Sequence, residues 1–457
     1  MTDRTANFGA AGLAELRAQV GGAVLVPADT AYEAARQVWN GAIDRRPAAI
    51  VQCADPEDVA LALRIATQHR ATVTVRGGGH NCAGRSIRDG ALLLDLSRLR
   101  AVAVNRDKRI ATVQGGALWR DFDAATALES LASTGGMVST TGVGGLTLGG
   151  GVGWLMRKHG LASDNLLGAA VVLADGRCAR ASPTEHPDLF WGLRGGAGGL
   201  GVVTSFEFAL HPLRDVLAGL IVHPAERAAA VLRTFREFAL NASDDFCGLV
   251  ALAAAPPLPF LDPAWHGRPV AIQAVCWAGD IAAGERAIEP LRDPAALAAH
   301  VGPMPYAHWQ QLLDAGAPPG RGQYWKSANF ARLDERTLDR LAAASLELPS
   351  AFSEIHVQHL GGAVARVPAG DSAFAHRDAA FFVNLIGVAT HRSQFEPVRA
   401  WARALHDAIV PGALGRMQPN FGGPDDCDAA LRFGAENAPR LAALKRRYDP
   451  DGVLAAD

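Results

Sequence analysis

The sequence has few cysteines, and none of them lies next to another. The six are scattered singly, without a CxxC pair, at Cys53, Cys82, Cys178, Cys247, Cys276 and Cys427. Zinc sites and disulfide frameworks both need clustered cysteines. The spacing therefore argues against a bound metal and against a disulfide-stapled fold. It favours buried cysteines that pack as small hydrophobic residues.

The sequence also lacks an excess of charge and a long apolar run. Charged residues make up 20% of 457, and the net charge is -2, which gives no field to attract nucleic acid or an anionic membrane. No apolar run reaches the 18 residues of a transmembrane helix. The first 22 residues carry no apolar block typical of a signal peptide. We expect a cytoplasmic protein, a monomer or homodimer, whose partners are small molecules.

Glycine, by contrast, is abundant, with 49 residues, and it is concentrated in three stretches. They are "RGGGH" (76–80), "GGMVSTTGVGGLTLGGGVGW" (135–154) and "LRGGAGGLGVVT" (193–204). Clustered glycines let backbone amides approach and surround a phosphate group. Three such clusters within one part of the chain favour a single extended ligand that contains a pyrophosphate.

The third stretch contains a GxGxxG pattern at 196–201, but its surroundings do not suit a Rossmann fold. That fingerprint follows a strand and opens a helix. Here "VVTSFEF" (202–208) follows, and its alternation is typical of a strand. No P-loop sequence is present either. The pattern therefore argues against a pyridine-nucleotide reductase.

Together these motifs resemble the flavoproteins of the vanillyl-alcohol oxidase and berberine-bridge-enzyme-like family, including its bacterial 6-hydroxynicotine-oxidase-type members. "VRGGGHN" (75–81) resembles the first FAD loop of that family, "STTGVGGLTLGGGVGW" (139–154) the second and "HPDLFWGLRGGAGGLGVVTSFEF" (186–208) the third. "QYWKSANF" (323–330) and "HLGGAVARV" (359–367) match later landmarks. The resemblance implies an α+β fold, with a two-part FAD-binding domain of the vanillyl-alcohol oxidase type at 1–212 and 413–457. An antiparallel-sheet substrate domain is inserted at 213–412.

The resemblance also implies FAD as the cofactor. The positions that match its binding residues are Arg76, Gly77, Gly78, Gly79, His80, Asn81, Thr140, Thr141, Gly142, Gly144, Gly145, Gly149, Gly150, Gly153, Gly201, Val203 and Asn420. In this family the histidine after the first glycines is bonded to the flavin 8α-methyl, and that histidine is His80 here. A second covalent link uses a cysteine four residues before "GVGG". Val138 stands there, so the resemblance implies one covalent link and not two.

The resemblance places the chemistry less clearly, because this sequence departs from the family at both of its usual bases. A Glu or Asp three residues before a Gly-Gly pair is replaced by Gln358, and the tyrosine of an "NY" pair is replaced by phenylalanine after Asn420. Gln358 and Asn420 remain candidate active-site residues. Tyr324, at a family landmark, and His356, two residues from Gln358 on one strand, are candidate bases. A neutral amine substrate could also react without a strong base.

The sequence therefore favours an FAD-dependent oxidase that takes a hydride from a small organic alcohol or amine and passes electrons to O2. Thr141, just before "GVGG", is small, and in this family small or β-branched residues there accompany oxygen access. Two alternatives remain open. One is a dehydrogenase of the same fold that uses another electron acceptor, and the other is a flavoprotein that catalyses a cyclisation or isomerisation without net redox change.

Overall fold

A computed structural model of the protein describes residues 8–455, so the extreme ends of the predicted FAD-binding segments, 1–7 and 456–457, lie outside the described residues. The first sheet contains β1 (Ala23–Leu25), β2 (Ala49–Gln52), β3 (Val73–Arg76) and β4 (Leu92–Asp95), in the order β1-β2-β4-β3. Strands β2 and β3 both pair with β4 in parallel. The sheet therefore needs a crossover helix between β2 and β3.

The crossover helix is α3 (Pro56–Gln68), and its ends follow from the sequence. Asp55 is the N-cap and accepts a hydrogen bond from the amide of Asp58 at 2.9 Å, while Pro56 fills the first helical position. The apolar stripe that includes Val59 and Leu63 is fully buried against the sheet. The sequence thus specifies both the start of this helix and the face that it buries.

The second sheet is antiparallel and contains β5 (Val102–Asn105), β6 (Ile110–Gln114), β8 (Leu166–Val172), β9 (Cys178–Ala181) and β10 (Val202–Ala209), in the order β5-β6-β10-β8-β9. Two short strands, β7 (Leu131–Ala132) and β11 (His211–Pro212), form a separate pair. The GxGxxG pattern leads directly into β10, so the prediction that a strand follows it is confirmed.

The third sheet has seven antiparallel strands, which come from the middle of the chain. It contains β12 (Asp215–Pro224), β13 (Phe246–Ala254), β14 (Pro269–Trp277), β15 (Ala298–Pro305), β16 (Gly322–Phe330), β17 (Glu354–His359) and β18 (Phe381–Ala389). Their order is β15-β12-β14-β13-β17-β18-β16. The predicted antiparallel-sheet insertion in an α+β fold is confirmed.

Helices occupy the faces of these sheets. The α-helices within residues 8–455 are α1 (Ala10–Gln19), α2 (Tyr32–Ala35), α3, α4 (Trp119–Ala127), α5 (Val143–Leu148), α6 (Met156–His159), α7 (Pro187–Leu193), α8 (Ala228–Asn241), α9 (Ile281–Ala287), α10 (Tyr306–Trp309), α11 (Glu335–Ala344), α12 (Ala363–Arg366), α13 (Phe395–Ile409), α14 (Ala429–Phe433) and α15 (Asn437–Tyr448). None of those helices is both long and apolar enough to cross a membrane.

The third sheet has two faces with different coverings. One face, which we call the helix-covered face, packs on α8, α11 and α13 through residues such as Phe330, Val357 and Leu385. The opposite face packs on the first part of the chain through residues such as Leu249 and Phe382. We call this second face the loop-facing side. Because side chains alternate along a strand, every strand residue can be assigned to one side.

The end of the chain returns to the first part of the molecule. Helix α15 packs on α7, and the hydroxyl of Tyr448 donates to Asp188 at 2.8 Å. Leu454 forms a parallel bridge with Val73 at the edge of the first sheet. Residues near the C-terminus therefore stabilise the same part of the molecule as the N-terminal strands.

Candidate active site

The first glycine loop (residues 77–81) and the second glycine loop (residues 135–145) meet at two glycines. A Cβ atom on Gly78 would lie 2.4 Å from the backbone nitrogen of Gly142, and one on Gly142 would lie 2.4 Å from the nitrogen of Gly78. A side chain at either position would collide with backbone, which cannot move aside. Glycine is therefore required at both positions for the two loops to lie side by side.

The first glycine loop presents backbone amides that the protein itself does not pair. Across residues 8–455, no partner accepts a hydrogen bond from the N–H groups of Gly77, Gly78, Gly79 or His80. Gly79 has a φ of +67°. Buried or half-buried amides without a partner are rare because each one costs the energy of a hydrogen bond. Successive amides around a turn with a left-handed residue form a concavity that binds anions, so the loop fits a phosphate of FAD.

His80 follows these amides and is held on both sides. Its ring stacks on Trp39, with centroids 4.9 Å apart and planes 17° from parallel, and its Nε2 lies 2.9 Å from Oγ1 of Thr140 on the second loop. Burial lowers the pKa of His80 from 6.5 to about 4, so the imidazole is neutral at pH 7. In the tautomer in which Nε2–H donates to Thr140, Nδ1 keeps a lone pair that can form a bond.

Two other predicted cofactor residues, Arg76 just before this loop and Asn81 at its end, already use their side chains within the protein. The guanidinium of Arg76 donates to Asp95 at 2.8 Å and to the carbonyl of Gln37 at 2.9 Å. The Oδ1 atom of Asn81 accepts from the amide of Ala83 at 3.1 Å, in a turn typical of asparagine. A buried ion pair holds the Arg76 side chain in place, which leaves its backbone to contact a cofactor, and the assignment of Arg76 to the cofactor site stays a prediction. Asn81 shapes the loop.

Several predicted cofactor glycines are explained by close packing of the protein on itself. An added Cβ would lie 1.9 Å from a protein atom at Gly149, 2.6 Å at Gly150, 1.7 Å at Gly153 and 2.5 Å at Gly201. Gly150 and Gly201 also have φ values of +106° and +142°, which disfavour any side chain. These positions require glycine because of backbone shape and neighbouring protein atoms.

The start of α5 has a different environment. Gly145 is exposed, and an added Cβ there would meet no atom within 4 Å, whereas at Gly144 it would lie 3.0 Å from a backbone carbonyl. Thr147 Oγ1, on the same short helix, is buried without a partner within the described chain. The side chain of Val203 lies in the core, so only its backbone can contact a cofactor. Open space and an unpaired hydroxyl thus lie beside the second loop.

Two residues from the middle of the chain hold the second glycine loop in place by hydrogen bonds. Asp314 accepts hydrogen bonds from the amide of Ser139 at 2.7 Å and from its hydroxyl at 2.6 Å. The side-chain amide of Gln310 donates to the carbonyl of Gly136 at 3.2 Å. The loop that brings Thr140 to His80 is therefore fixed by residues that lie more than 170 positions away in sequence. The sequence carried no local signal for this contact.

A buried carboxyl group lies next to Gln310. Asp123 on α4 is 4% exposed and its Oδ2 accepts from Gln310 at 3.2 Å. Its Oδ1, the Gln310 Oε1 and the hydroxyl of Tyr306 are all buried without partners within the described chain. Burial raises the pKa of Asp123 from 3.8 to about 7, and the charge of Asp314 adds to the rise. This carboxyl therefore titrates near neutral pH.

Tyr324 lies on the wrong side of the third sheet for catalysis. It shares the helix-covered face with Phe330, and its ring packs edge-on against Phe395 of α13. Its hydroxyl is 2.7 Å from Asp425 and accepts from Arg403 at 2.8 Å. Burial and the neighbouring carboxylate raise the pKa of Tyr324 well above 10. The alternation of β16 directs the Tyr324 side chain away from the glycine loops, and this position argues against the predicted role of Tyr324 as a base.

On strands β13, β16, β17 and β18, the loop-facing side contains one contiguous set of half-buried residues, and the other residues of these four strands on that side are buried. Trp325 pairs with Ile386, Ile386 pairs with Glu354, and His356 pairs with Ala251 across neighbouring strands. All five are half-buried, and we call them the open patch. Side chains of the glycine loops, including His80 and Thr141, are half-buried as well. Trp39 contacts both Trp325 of the open patch and His80 of the first loop, and we call the region between the open patch and the glycine loops the cleft.

Aromatic rings connect the two walls of this cleft. Trp325 meets Trp39 edge-on with centroids 5.7 Å apart, and Trp39 in turn stacks on His80. On its other side Trp325 stacks on Phe421 at 6.0 Å, and Phe421 contacts Phe382 at 4.8 Å. The cleft thus offers large flat apolar surfaces, which suit the ring of an organic substrate.

The remaining candidates occupy distinct places around the cleft. His356 lies in the open patch, and its Nε2 is 2.6 Å from Glu354 Oε2. Gln358 is buried on the same side of β17 and contacts the sulfur of Met137 at 3.5 Å. Asn420 donates from Nδ2 to the carbonyl of Leu146 at 2.9 Å. Asn420 therefore ties the C-terminal segment to α5, and its predicted catalytic role is not supported by its contacts.

Sequence reasoning missed Trp39 and Glu354. Nothing around Trp39 marks it as a neighbour of His80, because the two side chains meet through the fold. Glu354 could have been found, because it stands two residues before His356 and the alternation of a strand puts both on one side. The position that carries a carboxylate in the family is Gln358 here, four residues further along the chain.

Comparison with known proteins gives three similarities. Residues 47–182 match the family described as "FAD binding domain". The chain is 31% identical to (R)-6-hydroxynicotine oxidase of Paenarthrobacter nicotinovorans, over 94% of each protein. The crystal structure of 6-hydroxy-D-nicotine oxidase from Arthrobacter nicotinovorans matches with a TM-score of 0.83 and 28% identity, over 95% of this chain and 96% of that one.

A further structural match is to glucooligosaccharide oxidase from Acremonium strictum, with a TM-score of 0.85. It covers 97% of each chain at 22% identity, which indicates the fold alone. The FAD of that protein carries 6-S-cysteinyl and 8α-N1-histidyl links.

Proposed function

The chain belongs to the FAD-linked oxidoreductases of the vanillyl-alcohol oxidase and berberine-bridge-enzyme-like family. We propose that it oxidises a small organic alcohol or amine at the cleft beside His80. The resemblance drawn from its motifs is confirmed, and the protein is an FAD-dependent oxidoreductase of the oxidase type. When bound, FAD would accept two electrons from the substrate and pass them to O2. Small-molecule substrates and O2 are its proposed partners.

The residues of the first two glycine loops fit this cofactor. The unpaired amides of 77–80 suit its phosphates, and the neutral imidazole of His80 suits attachment to a methyl carbon because a lone pair is free at pH 7. We propose one covalent link, through His80. Cys82 is a poor second attachment site, since it is buried and burial raises its thiol pKa far above 9, and the family position for the second link is Val138.

One observation carries the proposal. A contiguous half-buried set on strands β13, β16, β17 and β18, on the loop-facing side of the third sheet, lies near the glycine loop that presents His80, because Trp39 contacts both Trp325 and His80. A substrate in that cleft would touch both walls, and the aromatic rings of Trp39, Trp325 and Phe421 would exclude water from it. The protein's task there is to orient the reacting C–H group and to accept a proton from the neighbouring O–H or N–H group.

Two measurements test the function. Purified holoenzyme would be mixed with a panel of aryl amines, cyclic amines, primary alcohols and oligosaccharides, and H2O2 would be followed with a coupled peroxidase. The same panel would be mixed anaerobically to follow bleaching of flavin absorbance. Bleaching with peroxide release supports the oxidase. Bleaching without peroxide indicates a dehydrogenase, and product formation without bleaching indicates a cyclase or isomerase.

The covalent link has its own test. Acid-precipitated wild-type protein should stay yellow, and His80→Ala should release all of its FAD into the supernatant. Thr112→Val, an exposed change on β6, serves as the matched control and should stay yellow. Release of all FAD from the wild type would contradict the covalent link, and a flavin-bearing tryptic peptide that contains Cys82 and lacks modified His80 would contradict its position.

A cytoplasmic location and a monomeric or homodimeric state remain predictions from composition. Size-exclusion chromatography with light scattering checks the second of these, and localisation of a tagged copy of the protein checks the first.

A further inference from the structure

The cleft contains a pair of side chains that can replace the missing family base. The family positions for a base are occupied by Gln358 and Phe421, neither of which can accept a proton at neutral pH. Tyr324 lies on the other side of the sheet. Within the open patch, the two side chains that accept protons are Glu354 and His356, since tryptophan, isoleucine and alanine do not.

The geometry of this pair assigns a different task to each member. His356 Nε2 lies 2.6 Å from Glu354 Oε2, and an ionised carboxylate can only accept a hydrogen bond. The proton of the neutral imidazole therefore sits on Nε2. Nδ1 then carries the lone pair, and within residues 8–455 no group of the protein bonds to it. A carboxylate that fixes the tautomer of a histidine in this way also stabilises the imidazolium once it forms.

The exposure of the two side chains supports the roles assigned to His356 and Glu354. The side chain of His356 is 15% exposed and that of Glu354 is 30% exposed, so a small molecule in the cleft can reach the pair. The direct neighbours of His356 across the sheet, Asn384 and Ala251, carry no charge. Glu354 is therefore the charged group beside the imidazole, and across the cleft His80 is neutral at pH 7.

Two buried polar atoms next to this pair have no hydrogen-bond partner within the described chain. Asn384 lies directly opposite His356, and Ser327 lies directly opposite Asn384, so the three side chains form one row on the loop-facing side. Asn384 Oδ1 and Ser327 Oγ are both buried without a partner within the described chain. Buried polar atoms are rarely left unpaired in a folded protein. An ordered water or a polar group of the substrate beside the imidazole would supply the missing partner.

We propose that His356 is the base of the reaction, acting through Nδ1, and that Glu354 is the residue that positions it. The substrate class is an alcohol or amine whose O–H or N–H proton passes to Nδ1 while the two electrons and the hydrogen of the adjacent C–H bond leave for the cofactor. The substrate thereby loses two electrons and two hydrogens and becomes a carbonyl or imine. This inference rests on the proposed function, and it adds to it the identity of the base.

The tautomer can be tested without turnover. Long-range 1H–15N correlation spectra of holoenzyme labelled with 15N-histidine would be recorded for the wild type and for His356→Asn, whose missing signals identify the His356 ring. We expect the wild-type ring to be protonated at Nε2, and we expect Glu354→Gln to shift or broaden that signal. Glu347→Gln, an exposed change three residues beyond the end of α11, should leave it unchanged. Protonation at Nδ1 in the wild type would overturn the proposal.

The base itself is tested by the rate of anaerobic flavin bleaching with whichever panel compound the wild type oxidises, measured between pH 5 and 9. His356→Asn should slow bleaching by roughly 100-fold to 10,000-fold at every pH in this range. Glu354→Gln should slow it about tenfold or more, and Glu347→Gln should not change it. A rate within twofold of wild type in His356→Asn would overturn the proposal. The expected tautomer with no bleaching by any panel compound would instead contradict the proposed function.

Discussion

Replacing the buried Asp123 by asparagine should remove a loss of stability that the wild type suffers between pH 5 and pH 8. Burial raises the pKa of this carboxyl from 3.8 to about 7 in the folded protein. Between these values the folded state holds a proton that the unfolded state has lost. Stability therefore falls as the pH rises from about 4 to about 7, and it stays level above that. Asparagine cannot ionise and shows no such fall.

The size of the effect follows from the pKa of Asp123. From pH 5 up to a folded pKa of about 7, each pH step costs about 1.36 kcal/mol, so the wild type loses about 3 kcal/mol. The entropy of unfolding scales with length and is roughly 1 kcal/mol/K for a chain of 457 residues. The difference in Tm between Asp123→Asn and wild type should therefore grow by about 3 °C between pH 5 and pH 8.

Thermal unfolding of the holoenzyme at both pH values, at constant ionic strength, measures this growth. Asp107→Asn, in the exposed hairpin turn between β5 and β6, controls for removal of a negative charge, and its Tm difference from wild type should be the same at both pH values. If Asp123→Asn also gives one constant difference, then Asp123 does not change its charge in the folded protein over this range. The argument from burial beside Gln310 would then be refuted.

Three further changes test the walls of the cleft and the assignment of faces. Thr141→Leu should slow reoxidation of the dithionite-reduced enzyme by O2 at least tenfold, which corresponds to about 1.4 kcal/mol in barrier. The larger side chain would occupy space beside the second glycine loop through which O2 approaches, and stopped-flow absorbance measures the rate. Gln358→Glu should not speed turnover at pH 7, because a carboxyl buried beside the Met137 sulfur has a raised pKa; turnover from pH 6 to 9 checks it. Tyr324→Phe should keep turnover within twofold but lower Tm, because it removes the hydroxyl that bonds Asp425, a loss of about 1–3 kcal/mol.

Each of these expectations can fail in a recognisable way. Equal reoxidation rates in wild type and Thr141→Leu would remove Thr141 from oxygen access, and slow reoxidation of the wild type would favour a dehydrogenase. Faster turnover of Gln358→Glu at pH 7 would show that the native site lacks a base, contrary to the role inferred for His356. A large loss of turnover in Tyr324→Phe at unchanged Tm would restore Tyr324 as a catalytic candidate.

Much of the fold was predictable because its signals are local. The cap of α3 needs only Asp55 and Pro56, which are neighbours in sequence. The glycine loops announce themselves by composition, and the alternation of β17 places His356 and Gln358 on one side of the strand. Each of these predictions depends on residues within a few positions of one another.

The same alternation could not tell which side of a strand faces the cofactor. Tyr324 and Trp325 are adjacent on β16, and they point to opposite sides. The sequence landmark "QYWKS" includes both, and tyrosine is the more familiar catalytic side chain. Only the packing of α13 on one side and of the glycine loops on the other decides that Trp325, and not Tyr324, lines the cleft.

The sequence by itself determined the family, the fold class and the histidine that follows the first glycines. The tertiary structure decided the partners of that site. Gly78 meets Gly142 because two loops cross with no room for a side chain, and Asp314 holds Ser139 across 175 positions of sequence. Such contacts form between surfaces that folding brings together, and their energies depend on distance in space. No pattern along the chain records that distance.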